Sequence, residues 1–275
     1  MSAPLASPSA APARGTQRVA AVLAALASSL LLLFLAVPIG KLIASGGAEG
    51  VRRLATDTEL RQALWLTATT ATVATLLGMA GGTPLAYLLA RRDFRGRAVL
   101  SALLDLPLLI PHPVAGIALL LLLGRESAVG SVLLSAGLRV VGTPLGIVAA
   151  MLFVAAPLFI SGAREAFARV DPRYEAVART LGDSPIGAFR RITLPLSRRG
   201  LIASAVVMWA RAVSEFGAIV VLTYNPKVAS VLSYDRFTGF GLREALPVAA
   251  VLALLALIPL TALRTLRGAD DGVSP

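Results

Sequence analysis

The sequence predicts an all-α membrane protein: six transmembrane helices, with a long polar connection between the fourth and the fifth. Three observations carry this. Of 275 residues, 56% are hydrophobic and only 15% are charged, against about 25% charged in soluble chains. Six apolar segments reach the roughly 20 residues that a helix needs to cross a bilayer. The cations lie between those segments, where charge orients membrane spans, and not along an amphipathic surface. That placement argues against nucleic-acid binding, which a formal net charge of +11 would otherwise invite. The chain has no cysteine, so disulfides, thiolate metal sites and thiol catalysis are excluded.

Taken in order, the first span is expected from about Val19 to Ala44, after a Pro/Ala/Ser-rich tail read as disordered over residues 1–17. Its apolar run is longer than the core of a signal peptide, so an uncleaved helix is expected. The next spans run from about Leu64 to Ala90, Val99 to Leu123, Pro144 to Phe167, Leu201 to Leu222 and Leu246 to Leu266. The permeation domain would occupy 18–267, with a second short tail at 268–275.

Orientation follows from the cations. Alternate connections, beginning with the N-terminal tail, hold sixteen lysines and arginines, and the other set holds nine. Positive charge stays inside, so both termini and the long fourth connection are expected in the cytoplasm, with the chain multi-pass in the cell membrane.

The fourth connection, about 171–199, reads DPRYEAVARTLGDSPIGAFRRITLPLSRR. Asp171 is a candidate N-cap and Pro172 suits the first helical position. Tyr174, Val177, Ala178 and Leu181 then recur at helical spacing. Gly182 is a natural helix stop. Ser184-Pro185 repeats the start signal, so a second short helix is expected to about Arg191, ended by Pro195 before the fifth span. Ile186 and Phe189 are apolar anchors, rimmed by Arg190 and Arg191. This pattern suits docking into a partner's groove or lying on anionic lipid, and both readings stay open on the residues alone.

Within the spans, Arg211 stands out. It lies about 10 residues into the fifth helix, roughly 15 Å deep by helical rise, where charge costs at least about 2.5 kcal/mol. Glu215 follows one turn later and can neutralise it. Ser204, Met208, Arg211 and Glu215 are expected on one face, as a pathway or gate, or else as a structural ion pair with its packing neighbours. Asp105 and His112 would share a face of the third span if that helix were regular, which Pro107, Pro111 and Pro113 put in question. His112, the only histidine, is either an anion donor or a satisfied structural group. No paired carboxylates, ligand cluster or nucleophile with a base suggest an enzyme. No internal repeat supports an ion-coupled secondary transporter, the alternative from another class.

The fourth connection resembles the coupling loop of binding-protein-dependent ABC importer permeases of type I. Their signature is Glu-Ala-Ala, a Gly shortly after, and Ile-x-Leu-Pro ten residues beyond it. Here stand Glu175, Ala176, Gly182, Ile192, Leu194 and Pro195, with the Gly-to-Ile spacing of ten intact. Val177 replaces the second Ala, and Glu175 lies seven residues before Gly182 where six is commoner. That longer spacing resembles the oxyanion importers. The stretches Leu106–Arg125 and Trp209–Ala249 are similar to tungstate and molybdate permeases, with sulfate/thiosulfate permeases as close relatives.

The resemblance implies that Glu175, Ala176, Gly182, Ser184, Pro185, Ile186, Phe189, Arg190, Ile192, Leu194 and Pro195 form an element seated in a cleft of an ABC ATPase subunit. The chain has no G-x-x-x-x-G-K-[ST] loop. ATP is therefore expected to be used by a separate ATPase chain, with no cofactor bound here. The implied assembly is two copies of this chain in the bilayer, two ATPase subunits and one extracytoplasmic substrate-binding protein, without nucleic acid. The cargo would be an oxyanion, tungstate or molybdate, moved by alternating access.

Overall fold

A computed structural model describes residues 14–268. The expected tails lie outside these residues except for 14–17, which are helical, and Gly268. The described chain is helical, with no strand among the described residues. Helix α1 runs Arg14–Thr56, α2 Thr58–Arg91, α3 Arg97–Leu109, α4 His112–Leu123, α5 Ala128–Ser135 and α6 Pro144–Ala168. Then follow α7 Pro172–Thr180, α8 Pro185–Ala188, a π turn over Phe189–Thr193, α9 Leu194–Val213, α10 Gly217–Leu222, α11 Ala229–Phe240 and α12 Leu242–Gly268.

Four described helices are long and apolar enough to cross a membrane: Val19–Thr56, Thr58–Arg91, Pro144–Ala168 and Leu242–Pro259. They match the expected first, second, fourth and sixth segments. The third and fifth segments depart from expectation, because neither is one helix. The third breaks into α3 and α4 with a bend of 114° at Ile110–Pro111. Pro111 and Pro113 have no N–H to continue the ladder, so the helix stops and restarts at His112. Asp105 and His112 therefore do not share a face. Asp105 instead borders a water-sized polar cavity with Ser101, Ser161 and Arg164. The fifth segment ends as α9 at Val213 and restarts as α10 at Gly217. Polar side chains compete with the helix there: Ser214 Oγ donates to the Arg211 carbonyl at 3.0 Å.

Helix α6 is the centre of the molecule. Ile147, Met151, Val154, Phe159 and Phe167 are fully or almost fully buried between α2, α9 and α10. By contrast α1 leaves Leu30 to Leu35 exposed in the isolated chain and packs chiefly along α12. A solvent-averse face of that length needs lipid around it.

The two ends of α2 belong to different clusters. At its start Asp57 caps the helix, accepting from Leu60 N–H at 2.9 Å. Asp57 also meets Arg236 of α11 at 2.7 Å. Nearby, Lys227 contacts Asp235 at 2.5 Å and Glu59 at 3.7 Å. The Arg236 guanidinium holds the Asp57 carboxyl below the usual carboxylate range, and Lys227 with Tyr224 does the same to Asp235. At its other end, α2 meets the segment 170–193.

Candidate functional site

The connection between α6 and α9 folds from local signals. Asp171 Oδ1 accepts from the Arg173 N–H at 2.9 Å, and Pro172 opens α7. Gly182 follows at φ +98°, a conformation costly for any residue with a Cβ. Ser184 Oγ then accepts from the Gly187 N–H at 3.0 Å, and Pro185 opens α8. The two short helices thus form an elbow tied by Asp183 to Arg191 at 2.7 Å.

One expectation is corrected here. Pro195 does not end the second short helix. Leu194 N–H donates to the Phe189 carbonyl, five residues back, and the wide turn leads straight into α9. Pro195 lies at the opening of α9, where a missing N–H costs least. The elbow is therefore continuous with the helix that carries Arg211.

The elbow faces two ways. Tyr174, Val177, Leu181 and Ile186 are exposed, Leu181 to 84% and Ile186 to 72%. Arg190 and Ala176 also lie on the surface. Ala178, Ala188 and Thr193 are buried. Glu175 turns inward: it accepts from Tyr87 Oη at 2.6 Å and from Thr193 Oγ1, with Arg91 Nη2 at 3.4 Å. Phe189 stacks edge-on against Tyr87 at 4.7 Å and lies 5.9 Å from Phe167. A groove of about 680 Å³ separates the elbow from α2, lined by Tyr87, Arg91, Glu175, Arg179 and Ile186 among others.

A second cluster forms where the two interrupted helices meet. His112 opens α4, Arg211 lies in the last turn of α9, and Glu215 lies in the break that follows. Arg211 Nη2 lies 2.9 Å from Glu215 Oε2 and 2.8 Å from His112 Nε2. His112 Nδ1 lies 2.7 Å from the same Glu215 oxygen. Arg211 Nη2 also lies 2.7 Å from His112 Nδ1, so the guanidinium, the imidazole and the carboxylate meet in one tight cluster. The other Glu215 oxygen accepts from the Ala218 N–H at 2.8 Å, opening α10. Ser230 Oγ donates to the Glu215 carbonyl at 2.7 Å. Close approach makes this possible, since a Cβ on Gly217 would lie 2.6 Å from His112 Cβ. Glu215 is 1% exposed, Arg211 22% and His112 36%, so the carboxylate is sealed while both nitrogen groups reach the surface.

Residues 82–267 match the family model described as binding-protein-dependent transport system inner membrane component. The match contains the elbow and both breaks. The chain belongs to this permease family. Among its relatives is the molybdate/tungstate transport system permease protein WtpB of Thermococcus kodakarensis. It is 38% identical over 242 residues, 87% of this chain and 93% of that one. The sulfate transport system permease protein CysT of Salmonella typhimurium is 31% identical, over 77% of this chain and 78% of that one. The fold is also that of a chain from a bacterial ABC transporter involved in alginate import. There the TM-score is 0.69 at 17% identity, over 95% of this chain and 99% of that one.

This permease is a transport subunit and not an enzyme, and nucleotide use in such ABC importers belongs to a partner ATPase. Of the four residues expected on one face of the fifth span, Ser204, Met208 and Arg211 keep their helical spacing within α9, and Glu215 lies just past its end. Met208 is fully buried, its Cε directly over Gly78 of α2. Ser204 is buried against Gly162 of α6, with its Oγ donating to the Gly200 carbonyl at 2.8 Å. Both serve helix packing, because that side of α9 meets α2 and α6. Arg211 and Glu215 stay together but meet His112, a partner from another helix. Of the permease's elbow, Ile192 and Leu194 are half-buried at its junction with α9. Tyr87, Arg91 and Thr193 were not singled out by the sequence. In the sequence Arg91 is one of the sixteen cations of the inner set, and nothing local joins it to a glutamate beyond residue 170.

Proposed function

We propose that this permease imports an oxyanion, molybdate or tungstate, as a homodimer with two ATPase subunits and one extracytoplasmic binding protein. The observation that carries the anion reading is the Arg211–His112–Glu215 cluster at the meeting of two interrupted helices. Interrupted helices inside a membrane protein line cavities or pack on protein, and such breaks are where transporters hold charged cargo. Arg211 offers N–H donors toward the open side, and Glu215 keeps it neutralised until a dianion competes for the same donors. The relatives named for molybdate and tungstate support the cargo class. Sulfate is the second reading, supported by the relative named for sulfate transport, since all three are tetrahedral dianions.

The elbow is the coupling element in this reading. Its exposed apolar face, Tyr174, Val177, Leu181 and Ile186 with Arg190 at the rim, suits a groove on the ATPase. Glu175, Ala176, Gly182, Ser184, Pro185, Phe189, Ile192, Leu194 and Pro195 shape and anchor it. The elbow and both termini then face the cytoplasm, and α11 faces outward. The broken pairs α3–α4 and α9–α10 supply the third and fifth of six crossings. ATP-driven closure of the ATPases alternates access, and the binding protein sets most of the specificity.

The test is uptake of radiolabelled molybdate, tungstate and sulfate by proteoliposomes carrying permease, cognate ATPase and cognate binding protein. ATP-dependent uptake of molybdate or tungstate with sulfate at background is expected. Uptake that ignores ATP and follows an ion gradient would identify a secondary transporter instead.

A further inference from the structure

We propose that the Glu175 carboxylate is a latch that ties the elbow to α2, with Tyr87, Arg91 and Thr193 as its positioning residues. The proposal rests on the reading of the elbow as the ATPase-docking element and adds where its displacement goes. Both carboxylate oxygens are engaged within the chain. Oε1 receives Thr193 Oγ1 and faces Arg91 Nη2, while Oε2 receives Tyr87 Oη at 2.6 Å. With 14% of the side chain exposed, little of that carboxylate is left for a partner's donor. Its role is therefore internal, although it sits on the short helix nearest the docking face.

Arg91 strengthens the case. Its side chain is 9% exposed, and it donates to the Val170 carbonyl at 2.8 Å. Nε and Nη2 are buried without a hydrogen bond, so Glu175 is the carboxylate paired with this buried cation. A buried charge whose partner moves away is strongly disfavoured, so Arg91 and Glu175 move together. The rings of Tyr87, Phe167 and Phe189 pack on one another at 4.7 to 5.9 Å, and Tyr87 and Phe189 line the same groove as the pair.

The elbow consequently has two outputs. One is the unbroken backbone from α8 through the π turn into α9, toward Arg211. The other is the Glu175 latch into the inner end of α2. Helices α2 and α9 both pack on α6, and the latch makes a push on Ile186 displace both together. Without the latch, α9 would move and α2 would lag.

The experiment uses the complete complex of permease, ATPase and binding protein in proteoliposomes, reading ATP hydrolysed per radiolabelled molybdate imported, with ATPase retention measured alongside. Tyr87→Phe keeps the ring packing and removes one hydroxyl. Arg91→Gln removes the charge, and Arg91→Lys restores it. The double variant Tyr87→Phe/Arg91→Gln should keep the ATPase bound while ATP per anion rises at least about fivefold, the low end of energetic coupling between sites. Arg91→Lys should recover part of that loss. An unchanged ratio would overturn the latch, and so would loss of the ATPase from the double variant, which would mark a merely structural role. Ile186→Asp separates this from the docking reading. It should release the ATPase; if it does not, the docking reading fails first. If it does, and the latch variants remain fully coupled, the latch alone fails.

Discussion

Arg211 and Glu215 are one helical turn apart in sequence, yet they do not share a helix: Arg211 belongs to α9, and Glu215 lies in the break that follows and accepts from the Ala218 N–H of α10. Their 2.9 Å contact is therefore a tie across a joint, with His112 of α4 as the third member. Removing Arg211 leaves the carboxylate buried without its counter-charge, at a cost of about 3–5 kcal/mol for a broken buried pair. Arg211→Ala should strongly reduce oxyanion uptake. In the pathway reading, the double change with Glu215→Ala restores dimer yield but not uptake. Recovery of uptake in the double variant would make the cluster purely structural, and full uptake in the single variant would remove Arg211 from the pathway.

Gly182 is the joint of the elbow, at φ +98°. A Cβ there meets nothing within 4 Å, so the penalty for substitution is backbone strain and not a clash. Gly182→Val should insert normally and lose coupling, because a β-branched residue at that φ costs on the order of 1–3 kcal/mol. Gly182→Asn, which tolerates the left-handed region better, should lose less. Transport-linked ATP hydrolysis is the readout; wild-type hydrolysis and uptake in the valine variant would show that the elbow does not need this geometry.

Orientation can be tested at two exposed threonines. Thr180 ends α7 on the elbow, and Thr238 lies on α11, two residues after the Arg236 that meets Asp57. The chain has no cysteine, so single cysteines at these positions can be labelled without background. Thr238→Cys should react with a membrane-impermeant maleimide in intact cells, and Thr180→Cys only after the inner face is opened. Labelling of both from one side would reject the proposed topology.

Acid should loosen the end of the bundle around Asp57. Both Asp57 and Asp235 titrate below the ordinary carboxylate range, held there by Arg236 and by Lys227 respectively. A depressed folded value means stability that is complete above the unfolded value and lost as pH falls through the folded one. The basic partners are raised, so their contribution persists until strongly alkaline pH. Thermal unfolding of the purified protein should therefore drop below about pH 4, where free aspartate protonates. In Asp57→Asn that acid limb should flatten, while an identical slope in the variant would assign the acid loss elsewhere.

Much of this molecule is decided locally and is legible in the residue order. Runs of apolar side chains long enough for a bilayer mark four of the helices. Asp171-Pro172, Gly182 and Ser184-Pro185 mark the elbow, since caps and turns are set by neighbours within a few positions. Arg211 with Glu215 is legible for the same reason. Tertiary structure alone decided which side of α9 packs on α2 and α6, and so turned Ser204 and Met208 into packing residues. It brought His112 across from α4 to Arg211, and Tyr87 and Arg91 across from α2 to Glu175. Where a membrane-buried charge finds its partner depends on which helices lie side by side. Hydropathy specifies that each must be buried in lipid or protein, and only their packing specifies against what.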